Sequence, residues 1–157
     1  MASAPSVAPS LKIKRVFQAP REKVFAAWTE KEQLEKWMCK PHPGMATTYT
    51  RFDVREGGSH ALECRLPNGQ VWVNHGKYKT VKPPEKLVFT WEWERFDGTR
   101  NKVGGMTGTL VTVDFFERGA ATEAVLVHEM FPSEQESDAH NTGWGLTFDL
   151  LEKALAG

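Results

Sequence analysis

Few side chains in this sequence have the types and spacing that catalysis or metal binding requires. Cys39 and His42, in the stretch CKPH, are close enough in sequence to form a nucleophile–base pair or part of a zinc site. A structural zinc site uses four ligands, however, and this proline-containing stretch offers two. The chain also has no phosphate-binding loop, no G-x-S-x-G elbow and no dinucleotide-binding fingerprint. We therefore predict no metal site and no cofactor, and we assign no catalytic residue.

Two further histidines alternate with apolar residues. His60 alternates with Leu62 and Cys64, so it either faces the core with them or lies hydrogen-bonded at the rim of a sheet. His128 is in register with Ala124, but the opposite positions of this stretch are also apolar, and the alternation leaves its side undecided. Each histidine is therefore a polar group that a mainly apolar cavity wall would accommodate.

The sequence LVFTWEWE predicts a strand with an aromatic face. Phe89, Trp91 and Trp93 alternate with polar or β-branched residues, so we expect them to face inward. On the preceding strand, the same alternation directs Asn74 inward and His75 outward. Aromatic walls with a few polar groups suit a small amphipathic ligand.

Tryptophan is unusually frequent in this chain, with six residues among 157. An indole is large and carries one hydrogen-bond donor, so it suits either a bulky core or a cavity wall. Both interpretations remain open from the composition alone. The six residues are Trp28, Trp37, Trp72, Trp91, Trp93 and Trp144.

The surrounding pattern predicts a strand, two short helices, six strands and a long final helix. The first strand covers Leu11–Gln18, one helix follows Pro20, and a second covers Lys31–Met38. Four strands start from Tyr49, separated by turns at Gly57-Gly58, Pro67-Asn68-Gly69 and Pro83-Pro84. We expect FDGTRNKVGG to be a polar loop, followed by strands at about Thr107–Glu117 and Thr122–Met130 joined by RGAA. Consecutive hairpins of this kind make an antiparallel sheet with one face to cover.

The final helix is the element that can cover this sheet. Trp144, Phe148, Leu151 and Leu155 form one apolar stripe, and Leu146, Leu150 and Ala154 widen the apolar face. Ser133 and Glu136 offer a capping box at its start. We expect Gly143 and Gly145 to let the helix backbone approach the strands closely while Trp144 reaches inward. The alternative is that these glycines only loosen the first part of the helix.

Charge and composition exclude several classes of protein. Lysine plus arginine total 20, equal to aspartate plus glutamate, which argues against nucleic-acid binding. No basic run predicts a membrane-surface helix, no apolar run is long enough to span a bilayer, and MASAPSVAPS lacks the features of a secretory signal. We expect a cytoplasmic protein, with residues 1–10 disordered and residues 11–157 forming a single domain, as a monomer or homodimer.

Four segments in this order resemble one family. They are the first strand running into APREKVFAAWT, the FDVREGGSH turn, the HGKYKTVKPPEKLVFTWEW strand pair and GWGLTFDLLEKAL. Together they resemble the START-like (SRPBCC) branch that includes the C-terminal domain of heat shock protein 90 ATPase-activator homologues, over about Leu11 to Ala156. The resemblance implies an α+β helix-grip fold. In that fold a curved seven-stranded antiparallel sheet wraps around a long C-terminal helix, two short helices close one end, and a cavity lies between sheet and helix.

The resemblance also implies a function, which we expect to be binding of a small hydrophobic or aromatic molecule in that cavity. One alternative is a chaperone cofactor in the stress response, although the eukaryotic activators carry an additional N-terminal domain that is not seen here. A second alternative is an enzyme of cyclase or hydrolase type using the same cavity. For the cavity that the resemblance implies, the inward positions predict a lining of Trp37, His60, Leu62, Cys64, Asn74, Phe89, Trp91, Trp93, Trp144, Phe148 and Leu151.

Overall fold

The computed structural model describes residues 8–38 and 44–156 of the chain. Seven strands and three helices occur in these ranges, in the order expected from the sequence. Their bounds are β1 (Leu11–Phe17), α1 (Arg21–Thr29), α2 (Lys31–Trp37), β2 (Ala46–Phe52), β3 (Ser59–Arg65), β4 (Val71–Lys82), β5 (Lys86–Phe96), β6 (Lys102–Arg118), β7 (Ala121–Glu129) and α3 (Glu134–Ala156). Cys39, His42 and residues 1–7 lie outside the described residues.

The strands form one antiparallel sheet in the order β1-β7-β6-β5-β4-β3-β2. From β2 to β7 each strand pairs with its successor in the chain, so simple hairpins build most of the sheet. Strand β1 joins the far edge, where Leu11 pairs with His128. Gly69 and Gly119 adopt positive φ angles at two of the predicted turns, a conformation that glycine adopts readily. The seven-stranded helix-grip fold is confirmed.

Helix α3 covers the concave side of this sheet and buries the predicted stripe. Trp144, Phe148, Leu151 and Leu155 are all buried, whereas Leu146 is 47% exposed. The predicted apolar face is therefore too wide on the Leu146 side. The N–H of Glu136 donates to Ser133 Oγ at 3.2 Å, which confirms the serine half of the predicted cap. The backbone of α3 lies closest to β1, α1 and α2, so one end of the space between helix and sheet is tightly filled.

The two short helices contribute the most deeply buried indoles. Trp28 of α1 and Trp37 of α2 pack edge to face, with ring centroids 4.7 Å apart. The indole N–H of Trp37 donates to the carbonyl of Ala27 at 3.0 Å, which satisfies a donor that would be costly to bury alone. These two indoles belong to the core.

Strands β2 and β6 start earlier than the sequence predicts, at Ala46 rather than Tyr49 for β2. Strand β6 begins at Lys102 rather than at about Thr107, because Gly104 and Gly105 pair with Arg95 and Glu94 of β5. A Cβ added to Gly105 would lie 2.9 Å from the carbonyl oxygen of Trp93, so this pairing needs a residue without a side chain. The glycines that suggested a loop are thus part of the sheet.

The end of the predicted N-terminal tail contacts the domain. The carbonyl of Pro9 accepts a hydrogen bond from the N–H of Phe131 at 3.1 Å, next to the β1–β7 edge. This bond ties the chain just before β1 to the segment between β7 and α3.

Candidate functional site: a tryptophan-lined cavity

A cavity of about 400 Å³ lies between α3 and strands β3, β4 and β5. Four of the six tryptophans line it: Trp72, Trp91, Trp93 and Trp144. The other side chains that border it are mainly sulfur-containing or polar: Met38, Met45, Cys64, Asn74, Arg95, Glu136, His140 and Thr147. The tryptophan excess therefore has two explanations: four indoles border the cavity, and the remaining two pack in the core.

Strand pairing explains why the sheet side of the cavity is aromatic. Alternate residues of a strand face the same side, so Trp91, Trp93 and Arg95 of β5 all point toward α3. On β4, Trp72 and Asn74 do the same, and the register sets Trp72 beside Arg95 and Asn74 beside Trp93. Asn74 is buried and donates its amide N–H to the carbonyl of Glu92 at 3.0 Å. The inward position of Asn74 agrees with the alternation seen in the sequence.

The glycines of α3 do not serve the role that the sequence suggested. A Cβ added to Gly143 or Gly145 would meet no atom within 4 Å, so neither glycine permits a close approach of helix and sheet. Gly143 borders the cavity, and its missing side chain leaves space there. The close-approach interpretation is wrong, because α3 stands away from the strands at this point.

Trp144 is held in place by a chain of buried hydrogen bonds. Its indole N–H donates to Nδ1 of His128 at 3.1 Å, so Nδ1 accepts and the ring proton sits on Nε2. Nε2 lies 2.9 Å from the hydroxyl of Thr109 and donates to it, and Thr109 donates to the carbonyl of Trp91. This chain links the helix wall of the cavity to its sheet wall.

His128 is fully buried and electrically neutral in this arrangement. Burial lowers the pKa of His128 far below its ordinary value, and His140 lowers it further. The side that the sequence left undecided is therefore the core side. A protonated ring would place an N–H against the indole N–H of Trp144, which the hydrogen-bond geometry opposes.

His140 and Glu136 form the polar edge of the cavity on α3. Nδ1 of His140 donates to the backbone carbonyl of Glu136 at 2.8 Å and lies 3.9 Å from its carboxylate. Burial lowers the pKa of His140, although both contacts with Glu136 act in the opposite direction. This edge therefore combines a neutral imidazole with one carboxylate.

Several donors near the cavity lack partners. Within residues 8–38 and 44–156, no hydrogen bond is found for the indole N–H groups of Trp72, Trp91 and Trp93 or for Nε of Arg95. Unsatisfied buried donors normally cost about 1–3 kcal/mol each. These unpartnered donors belong to side chains that border the cavity.

His60 is buried but lies elsewhere. Its ring packs against Tyr78 and Phe89, with centroids 5.3 Å and 5.6 Å away. Burial lowers the pKa of His60 to about 4, despite a hydrogen bond to the backbone of Thr90 that raises it. The rim alternative does not apply, since the side chain faces the core. His75 is half-exposed on the opposite side of the sheet, 3.7 Å from Glu94, as the alternation predicts.

The cavity brings together some of the residues expected to line it. Cys64, Asn74, Trp91, Trp93 and Trp144 border it, and six other residues lie in the core around it instead. For two of the six, ring contacts show where the side chains pack: Phe148 lies against Phe17 of β1 at 5.7 Å, and His60 lies against Tyr78 and Phe89. These six buried residues are Trp37, His60, Leu62, Phe89, Phe148 and Leu151.

Ten of the fifteen described residues that line the cavity were not anticipated, although part of the signal is present in the sequence. Trp72 shares the parity of Asn74, and Arg95 shares the parity of Trp93, so extending the alternation by two residues identifies both. Gly143 and His140 carry no such signal, because a helix position borders a cavity only where the sheet below it bends away.

Two other classes of site are not found in the part of the chain that the structure describes. No group of three or more His, Cys, Asp or Glu side chains is arranged to hold a metal ion there. None of the described helices is long and apolar enough to cross a membrane.

The fold agrees with a family match. The family model described as "Activator of Hsp90 ATPase homolog 1-like protein" matches residues 18–156. The chain belongs to this family. The resemblance to the activator homologues inferred from the sequence is thereby confirmed. No curated protein matches the chain.

Solved structures of three other proteins share the fold of this activator-homologue-like chain. One from Chromobacterium violaceum is 22% identical, with a TM-score of 0.77 over 94% of this chain and 98% of its own. One from Arthrobacter aurescens is 22% identical, with a TM-score of 0.76 over 95% of this chain and 87% of its own. One from Nitrosomonas europaea is 22% identical, with a TM-score of 0.72 over 94% of each chain. These identities support a common fold and carry no statement about ligands.

Proposed function

We propose that the protein binds a small, largely apolar aromatic molecule in the tryptophan-lined cavity. The observation that carries this proposal is a space of about 400 Å³ bordered by four indoles. Ligand pockets typically enclose about 300–1,000 Å³, with mostly apolar walls and few polar groups. The volume therefore suits a molecule of one or two fused rings better than a long lipid.

The arrangement of the indoles supports an aromatic rather than an aliphatic ligand. Trp91 of the sheet and Trp144 of the helix are 5.0 Å apart, with their planes inclined by 46°, so they form a corner of the cavity. A planar molecule stacked on the face of one ring would meet the other ring at a tilt, so both indoles can contact an aromatic ligand. The hydrogen bonds through His128 fix the orientation of Trp144, which reduces the entropy lost on binding.

A pair of glycine variants tests the proposal. Gly143→Leu places a side chain in the cavity, whereas Gly145→Leu makes the same change on the same helix at a position that does not border the cavity. Aromatic compounds should raise the melting temperature of the wild type and of Gly145→Leu, but not that of Gly143→Leu. At about 100 times the dissociation constant, a ligand stabilises the fold by about 2.7 kcal/mol.

The possible results separate the alternatives. Equal stabilisation of both variants would place the binding site elsewhere. A broad aromatic screen without a saturable hit on the wild type would contradict the proposal itself.

The family match supports a second candidate, a chaperone cofactor. Its direct test is the ATPase rate of heat shock protein 90 with and without this protein. Stimulation by Gly143→Leu equal to that by the wild type would assign that activity to a surface other than the cavity.

An enzyme acting in the cavity receives less support. Neither His60 nor His128 borders the cavity, and both ring nitrogens of His128 are already hydrogen-bonded. Chemical conversion of a bound compound that is lost on replacing either histidine would favour this alternative.

A further inference from the structure

Arg95 is the cationic side chain that borders the cavity. It lies near the end of β5, on the same face as Trp91 and Trp93. The register places it between Trp72 of β4 and Gly104 of β6. A permanently charged group thus stands among indoles at one end of an otherwise mainly apolar space.

The guanidinium of Arg95 has no counter-ion within residues 8–38 and 44–156. No ion pair or hydrogen bond involves it there, and its Nε is buried without a partner. Glu136 is the carboxylate on the cavity lining, and it lies beside His140 instead, 3.9 Å from Nδ1. The side chain is only partly buried and no carboxylate neutralises its charge, so its terminal N–H groups can bind an anion that enters the cavity.

The neighbouring strand gives the guanidinium room on the cavity wall. A Cβ added to Gly104 would lie 3.4 Å from Nη2, 3.7 Å from Nε and 3.8 Å from Cζ of Arg95, so the planar group lies against this glycine. The adjacent indoles of Trp72 and Trp93 add N–H groups that have no partners in the described part of the chain. Arg95 is therefore the side chain at this end of the cavity whose charge can attract an anion.

We propose that the ligand carries a carboxylate that Arg95 binds, so that the natural ligand is an aromatic carboxylate. This inference rests on the proposed function and specifies its ligand class. A carboxylate accepts two parallel hydrogen bonds from a guanidinium, and such charged pairs are the strongest hydrogen bonds in proteins. The ring system would occupy the corner of Trp91 and Trp144.

A matched pair of probes tests this. 2-Naphthoate and 2-naphthamide have the same ring system, but the first carries a negative charge and the second is neutral. By isothermal titration calorimetry at low salt, the wild type should bind 2-naphthoate at least about tenfold more tightly than 2-naphthamide. Added salt should weaken binding of the anion more than binding of the amide.

Variants locate the preference. Arg95→Gln should remove the preference for 2-naphthoate while keeping the affinity for 2-naphthamide within about twofold. Arg95→Lys should retain part of this preference, because lysine keeps the positive charge but lacks the paired donors of a guanidinium. Arg118→Gln, in the β6–β7 hairpin beside Glu123, is the control and should bind both probes as the wild type does. Glu136→Gln should strengthen 2-naphthoate binding, since it removes the negative charge from the lining.

Each outcome is decisive. Equal affinity of the two probes for the wild type overturns the carboxylate inference and leaves the proposed function standing. A preference that survives Arg95→Gln also overturns it, because another group then binds the anion. If no aromatic compound binds, both the inference and the proposed function fail. Should Arg95→Gln not fold, Arg95→Met and the wild-type ratio still decide the matter.

Discussion

Gly143 and Gly145 stand on either side of Trp144, yet their missing side chains leave different spaces open. Gly143 borders the cavity, whereas Gly145 does not. Neither has a positive φ, and an added Cβ would meet nothing within 4 Å at either position. The sequence could not distinguish these cases, because glycine serves equally to admit a neighbouring backbone and to leave a volume empty. Glycine destabilises a helix, and at neither position does closer packing of the helix on the sheet offset this cost.

Replacing Gly145 by alanine should stabilise the protein. Alanine is favoured over glycine in a helix interior by about 1 kcal/mol, and here no steric penalty opposes the gain. Urea denaturation should show a higher midpoint with an unchanged slope. A lower midpoint would mean that the position is more crowded than the structure indicates.

Helix α3 is held to the molecule by a stripe along its length rather than by its whole apolar face. Phe148 and Leu151 are fully buried, while Leu146 faces solvent. Phe148 packs at an angle against Phe17 of β1 and Trp28 of α1, with centroids 5.7 Å and 6.1 Å away. The side of α3 nearest the first strand therefore supplies its anchorage, and the Trp144 side supplies a cavity wall.

Truncating the anchor should cost far more than truncating an exposed leucine of the same helix. Phe148→Ala should lower the free energy of unfolding by about 3–5 kcal/mol, because it leaves a cavity among rigid neighbours. Leu146→Ala is the control, and its effect should stay below about 1 kcal/mol. Chemical denaturation of both variants measures the difference. Similar losses in the two would show that α3 packs by another face.

At the level of the whole chain, element order could be predicted but the shape of the site could not. Period-two stretches separated by Asn-Gly and Gly-Gly turns are local signals, and consecutive hairpins then determine most of the sheet order. The cavity lies between α3 and strands β3, β4 and β5, so no single element encodes it. Alternation therefore placed Phe89 and Trp91 on the same inward face, yet only Trp91 borders the space.

Stability should fall in mild acid because buried histidines resist protonation. Burial lowers the pKa of His60 from 6.5 to about 4 and that of His128 further. Below pH 6.5 the unfolded chain then binds protons that the folded chain does not. The two neutral histidines therefore make their full contribution to the free energy of unfolding above that pH. As the pH falls toward the folded-state pKa, each histidine lowers the free energy of unfolding by about 1.4 kcal/mol per pH unit. Urea denaturation at several pH values between about 7 and 5 measures this slope.

One variant measures how much His128 contributes to the change of the free energy of unfolding with pH. In His128→Asn, the amide oxygen can still accept the indole N–H of Trp144, but nothing titrates at this position. The slope should decrease by about one histidine's share. A slope identical to that of the wild type would show that His128 contributes nothing to the acid sensitivity.

The close spacing of the indoles has an optical consequence. Trp37, Trp28, Trp144 and Trp91 form a continuous series with centroids 4.7 Å, 6.1 Å and 5.0 Å apart. Excitation energy absorbed by one indole passes to its neighbour at such separations before a photon is emitted. A molecule that quenches Trp91 would therefore also reduce the emission of Trp37 through energy transfer, although Trp37 is buried in the core. Emission lifetimes of the whole protein should report occupancy of the cavity without a label.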